Sequence, residues 1–168
     1  MPTSVGAEIK QTRPFDSLEQ EVYLALARTA AVLGHALAEA LRPYGVTPTQ
    51  YNVLRILRGA GRTGLCRNEV RDRLVAQVPD VTRLLDRLET MGYVERERDE
   101  EDRRLVTTRI TAAGRELLAS LDAPIVDKHR RQLGHMSATQ LRTLADLLAL
   151  ARSGAAAADA TSHDGEGQ

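Results

Sequence analysis

The residues whose types and spacing suit chemistry fall into two short groups. The first is Gln77, Thr82, Arg83 and Arg87, spread over a segment whose apolar residues recur at helical spacing. The second is Asp102-Arg103-Arg104, at the end of a charged stretch between two β-prone runs. A guanidinium makes paired hydrogen bonds to phosphate or to the guanine edge. Threonine and glutamine donate to phosphate oxygens near a helix N-terminus, where the helix dipole also favours the anion. This is the chemistry of recognising nucleic acid. Asn68, on the preceding short segment, is a further phosphate candidate or simply a helix-starting residue. The competing reading of Arg83 and Arg87 is a solvated charged face, and that of Asp102 with its arginines is a weak surface ion pair. Asp86 is expected to pair with a neighbouring arginine.

Other constellations are sparse. There is no nucleophile paired with a base, no metal-ligand cluster and no phosphate-cradling glycine loop, so the chain does not read as an enzyme and no cofactor is expected. His35 and Glu39 lie one helical turn apart without a second histidine, and no metal site is expected at them or at His129 and His135. Cys66 is the single cysteine, which excludes an internal disulfide. At a helix start beside Arg67 its thiol could be activated, giving a thiol-based redox sensor. The alternative is a small buried residue, the common fate of free cysteine.

These residues need a scaffold. Leu18, Val22, Leu26, Ala30, Leu33, Leu37 and Leu41 recur in steps of three and four, which predicts one amphipathic helix of about 26 residues, ~39 Å long. Pro43 and Gly45 end it. Thr47-Pro48-Thr49-Gln50 reads as a capping box with proline at the first helical position. A short helix over Arg67 to Leu74, a turn at Val75-Ala76-Gln77, and a helix from Val78 or Pro79 to Met91 follow. The last of these buries Val78, Val81, Leu84, Leu85, Leu88 and Met91 and turns Arg83 outward. Tyr93 to Arg98 and Arg104 to Ile110 read as two strands of a hairpin. Thr111 caps a further helix that Pro124 should kink, and Ser137-Ala138-Thr139-Gln140 is a second capping box. The order helix, turn, helix, hairpin describes a winged helix-turn-helix, which sets one helix in the major groove with a hairpin beside it.

Composition narrows the reading. The 168 residues have a formal net charge of zero, so bulk charge cannot be what grips nucleic acid. The bases are almost all arginine, with Lys10 and Lys128 the exceptions. Aromatic content is 3 %, which fits a helical core of Leu, Val and Ala. No apolar signal core or membrane-crossing run is read from the sequence, so a cytoplasmic protein without a membrane partner is expected.

The segment LVAQVPDVTRLLDRLETMGYVERERDEEDRR resembles the turn, recognition helix and wing of the MarR family of bacterial winged-helix regulators. DEEDRR followed by a strand and ITAAG resembles that family's wing tip and next helix start. The resemblance covers about Asp16 to Arg152. It implies a mainly α fold with a small β-hairpin wing, flanked by N- and C-terminal dimerisation helices. It also implies a homodimer that binds a pseudo-palindromic operator on double-stranded DNA and, in most members, represses transcription until a small ligand or oxidation releases it. Arg103 or Arg104 would then enter the minor groove, oriented by Asp102. His35, Tyr44, Tyr51 and Arg55 would border the effector cleft between dimer helices and DNA module, with core packing the competing reading for Tyr51. Three residues depart from the pattern. Val75 stands in place of the usual turn glycine, Asp80 where serine or threonine is common, and Cys66 where threonine or serine caps the short helix. Asp80 repels phosphate unless it accepts from a cytosine amino group. The wing from Glu95 to Arg104 carries a net charge of −2, so its DNA contact must be local.

The expected organisation is a flexible arm (1–15), an N-terminal dimerisation helix (16–45), a winged helix-turn-helix module (46–112), C-terminal dimerisation helices (113–152) and a disordered tail (153–168). The long helices at the two ends carry apolar stripes that a small central module cannot cover, which favours an interleaved homodimer. A second reading, favoured by zero net charge and the acidic wing, is a winged-helix protein-interaction module that does not bind DNA.

Overall fold

The computed structural model of the chain describes residues 3–98 and 106–163. The fold is mainly helical, with a small antiparallel sheet. It divides into two compact units, residues 1–128 and 129–168.

In the first unit a single turn, α1 (Val5–Glu8), is capped by Ser4. It lies within the expected arm and is tied to the next helix by the Glu8–Arg28 ion pair. The long helix α2 (Leu18–Leu41) starts at the Ser17 side chain, which accepts from the Gln20 N–H. A 3₁₀ turn at Arg42–Tyr44 and left-handed Gly45 end it. By length and composition Leu18–Tyr44 could cross a membrane, contrary to the sequence reading. Apolar helices that pack against protein satisfy the same criterion. In α3 (Pro48–Ala60) the predicted capping box is complete: Gln50 N–H donates to Thr47 Oγ1, and Thr47 N–H to Gln50 Oε1.

The sheet has the order β1-β3-β2. β1 (Leu65–Cys66) is a two-residue strand that sequence periodicity does not predict. β2 (Val94–Arg98) and β3 (Val106–Ile110) form the hairpin, with Val94 opposite Ile110 and Arg96 opposite Thr108. Gly64 enters β1 at φ +69°, and a Cβ there would lie 2.7 Å from Thr108 O and from two side chains of β3. Glycine therefore lets β1 close on the hairpin.

Between β1 and β2 lie α4 (Arg67–Asp72) and α5 (Val81–Thr90). Both are shorter than the periodicity predicts. Val78 and Pro79 precede α5, because the Asp80 carboxylate caps it by accepting from Arg83 N–H at 2.8 Å. α5 is anchored by Val81, Leu85 and Leu88, which join Leu41, Leu54, Leu57, Val70, Val94, Ile110, Leu118 and Leu121 in one core. Each such side chain contributes about 1.5–3 kcal/mol on burial.

α6 (Ala112–Leu133) begins in the first unit and ends in the second. It continues through Pro124, so the interruption that the sequence allows there does not occur. Leu121 and Ile125, both buried, hold the helix on either side of the proline. In the second unit α7 (Ala138–His163) starts at the predicted capping box, Ser137 with Gln140. It continues past Ser153, where the sequence predicts a loose tail, through an alanine-rich stretch of high helix propensity.

Candidate nucleic-acid interface

The buried face of α5 determines what its other face presents. With Val81, Leu85 and Leu88 inside, Thr82, Arg83, Asp86 and Arg87 are exposed. Arg83 and Arg87 lie one turn apart, so their guanidiniums can reach the same groove. Gln77 is exposed in the turn before α5, and Asn68 is exposed on α4. Arg67 Nη2 approaches Asn68 Oδ1 at 3.5 Å. Asp102, Arg103 and Arg104 lie outside the described residues.

Asp80 acts first as a helix cap. An anion at this position complements the helix dipole, and one of its oxygens is already engaged by the Arg83 N–H. The turn between α4 and α5 is held from below: Val75 N–H donates to Asn52 Oδ1 at 2.9 Å.

Arg96, which the sequence presents only as one of the wing charges, is central here. It lies on β2 and donates to Glu89 Oε2 from Nε at 2.9 Å and to Asp86 Oδ1 from Nη2 at 2.5 Å. Asp86 thus has the arginine partner expected of it. The Glu89 carboxylate pushes the Arg96 guanidinium above its ordinary pKa, partial burial opposes this, and Asp86 adds to the rise. A signal for Arg96 is present in the sequence: strand alternation places it on the same side as buried Val94. A second pair, Arg58 with Asp122, uses two parallel bonds at 2.8 and 2.9 Å to join α3 to α6. It lowers the Asp122 pKa, mainly through the hydrogen bonds.

A cleft of about 370 Å³ lies between α4, α5 and the sheet, lined by Cys66, Asn68, Thr82, Arg96 and Thr108 among others. Thr108 is 1 % exposed, and its hydroxyl has no hydrogen-bond partner among the described residues. Cys66 is half-buried, and its backbone N–H donates to Glu69 Oε2 at 2.8 Å.

The residues expected to border an effector cleft are only partly brought together. Tyr51 is in the core, with the Arg55 guanidinium 5.8 Å from its ring centroid, and Tyr44 packs against the same core. His35 is exposed on α2, and among the described residues no hydrogen bond or ion pair joins it to the other three. Among the described residues no cluster could hold a metal ion.

A family model described as MarR family matches residues 44–105, which span α3 to the wing. A solved MarR transcription factor from Planctomyces limnophilus is 42 % identical, with 82 % of this chain and 99 % of that one covered and a TM-score of 0.64. The chain belongs to the MarR family. Family members are transcriptional regulators, not enzymes. Sco3205 from Streptomyces coelicolor, a MarR-family regulator solved in complex with DNA, shares the fold at a TM-score of 0.75 and 23 % identity, with 86 % and 92 % of the chains covered. CouR from Rhodococcus jostii, solved bound to p-coumaroyl-CoA, is 26 % identical at a TM-score of 0.67, with 80 % and 93 % covered. This MarR-family chain spans about half the length of the first curated regulators it matches.

Proposed function

We propose that this MarR-family chain is a sequence-specific DNA-binding regulator that acts as a homodimeric repressor in the cytoplasm. The observation that carries the reading is the outer face of α5. Thr82, Arg83 and Arg87 are exposed there together, on a helix fixed by three buried side chains. Asn68 and Gln77 reach phosphates beside it, and Arg103 or Arg104, oriented by Asp102, extends the contact from the wing tip. A dimer is supported by apolar side chains left in solvent on α2, among them Leu18, Val22, Tyr23 and Val32, and by Leu147 and Leu150 on α7. A second copy that covers them would also present two recognition helices to successive turns of a pseudo-palindromic operator.

Release by a small molecule is the regulatory half of the proposal. CouR with its bound p-coumaroyl-CoA supports it by kinship. The cleft beside Thr82, into which Thr108 brings a hydroxyl without a partner among the described residues, supports it in this chain. A ligand that prefers a dimer with a different helix spacing would shift the population off DNA.

Selection of bound duplex from a random pool tests the reading. Enrichment of an inverted repeat with half-sites centred about 34 Å apart is expected. A folded dimer that enriches nothing would overturn it in favour of a protein-interaction module.

A further inference from the structure

Between Asp80 and Thr90, α5 and its cap carry three acidic side chains against two arginines. A helix of that composition, in a chain of zero net charge, should repel a polyanion. The structure contains an answer to that conflict. Asp80 is engaged in capping, and the other two acids, Asp86 and Glu89, sit three residues apart and converge on Arg96. Arg96 belongs to another element, β2, and its side chain is 25 % exposed, against 50 % for Asp86 and 39 % for Glu89. The guanidinium is therefore more enclosed than either acid and is committed to them.

We propose that Arg96 is a positioning residue for DNA binding, one that sequesters the Asp86 and Glu89 carboxylates against the wing so that Arg83 and Arg87 dominate the field of the recognition helix. The inference rests on the DNA-binding reading above. Arg96 acts through the two acids and makes no phosphate contact of its own. Loss of Arg96 would leave two carboxylates on a helix that must enter a groove lined by phosphates, and like charges brought together cost several kcal/mol in an interface. The helix itself would stay in place, because Val81, Leu85 and Leu88 hold it from beneath.

The experiment is a charge-neutralisation cycle on the full chain, read as affinity for the selected duplex at several salt concentrations. Arg96→Gln is expected to bind at least about tenfold more weakly, and Arg96→Gln combined with Asp86→Asn and Glu89→Gln is expected to recover to within about threefold of the parent, since contacting groups couple strongly. Arg96→Lys, which keeps the charge but not the fork, should fall between them. The dependence of log affinity on log salt should be unchanged in Arg96→Gln, whereas removing a group that binds phosphate directly lowers that slope by about one. Urea unfolding of each variant checks that the fold persists. Affinity unchanged in Arg96→Gln, a reduced salt slope, or failure of the triple variant to recover would each overturn the proposal. If the parent chain binds no duplex, the DNA-binding reading fails as well, and that outcome is distinct because it precedes any variant.

Discussion

Val75 and Asn52 meet across 23 residues of sequence: the Val75 backbone N–H donates to Asn52 Oδ1 at 2.9 Å. The bond fixes the turn between α4 and α5 to the helix beneath it. Leu74 and Val78 pack against the core on either side of the turn, while the Val75 side chain between them is 89 % exposed.

Asn52→Ala should therefore cost about 1 kcal/mol, the usual net value of one hydrogen bond. Urea unfolding would show this as a lower midpoint with an unchanged slope. Operator affinity should fall too, because the turn is the link that holds α5 against α4 and α3. A variant as stable as the parent would mean that water replaces the bond without loss.

Gly114 and Gly59 make opposite predictions from the same substitution. A Cβ on Gly114 would sit 2.4 Å from Tyr93 O and 2.8 Å from Ile110 Cγ1. That oxygen already accepts from Thr111 N–H at 3.0 Å, at the junction of β2, β3 and α6. Gly114→Ala should destabilise by about 1–3 kcal/mol or more, as overpacking does. Gly59 lies inside α3, and nothing would come within 4 Å of its Cβ. Gly59→Ala should stabilise by up to about 1 kcal/mol through helix propensity. Thermal melts of both variants check the pair.

The acid limb of stability should carry the signature of Asp122. Its folded pKa is lowered by the hydrogen bonds from Arg58. A lowered folded pKa means that the group stabilises the fold above its unfolded value, near 4, and that this stabilisation is lost as pH falls through the folded value. The side chains of Arg58 and Asp122 are 35 % and 49 % exposed, so solvent screening limits the pair to about 1 kcal/mol or less. Asp122→Asn should be slightly less stable than the parent at pH 7 and should converge with it below about pH 4. Unfolding midpoints at pH 7 and pH 3 test this, and parallel curves at all pH values would count against it.

What could be read from the chain and what could not divides by the range of the interaction. The capping boxes at Thr47 and Ser137 are contained in four consecutive residues, and both are formed as the sequence indicates. The apolar face of α5 is equally local at Val81, Leu85 and Leu88, as is the alternation of β2, but Met91, expected on that face, ends the helix and is 37 % exposed. β1 is not: two residues become a strand because β3 lies beside them, with Leu65 opposite Thr108. The start of α5 is hidden because Val78 continues the apolar pattern, while the Asp80 cap fixes the first helical residue three positions later. The Arg96 pairings and the Asn52 bond join separate elements, and sequence periodicity carries no trace of which partner each will find. Tyr44, Tyr51 and Arg55 have aromatic and charged types that suit a ligand. Burial of Tyr51 at 6 % exposure makes it part of the core.

Arg83 and Arg87 offer the most direct test of the interface. Both are exposed on α5, but they differ in what surrounds them. Arg83 sits beside the capping carboxylate of Asp80 at the N-terminal end, the end that leads into the groove in a helix-turn-helix. Arg87 lies one turn further back, near the end of the helix. Arg83→Ala should therefore cost about 1–3 kcal/mol in operator binding and relax the preference at one base pair in each half-site, as removal of a bidentate base contact does. Arg87→Ala should weaken binding to all sequences alike and lower the salt slope by about one for each phosphate that Arg87 neutralises. Neither change touches the core, so unfolding midpoints should stay within about 0.5 kcal/mol of the parent. Titration of both variants against the selected operator and single-base variants of it distinguishes the roles. If Arg83→Ala kept its base preference, the recognition contact would have to be assigned elsewhere on the helix, with Thr82 the nearest exposed neighbour.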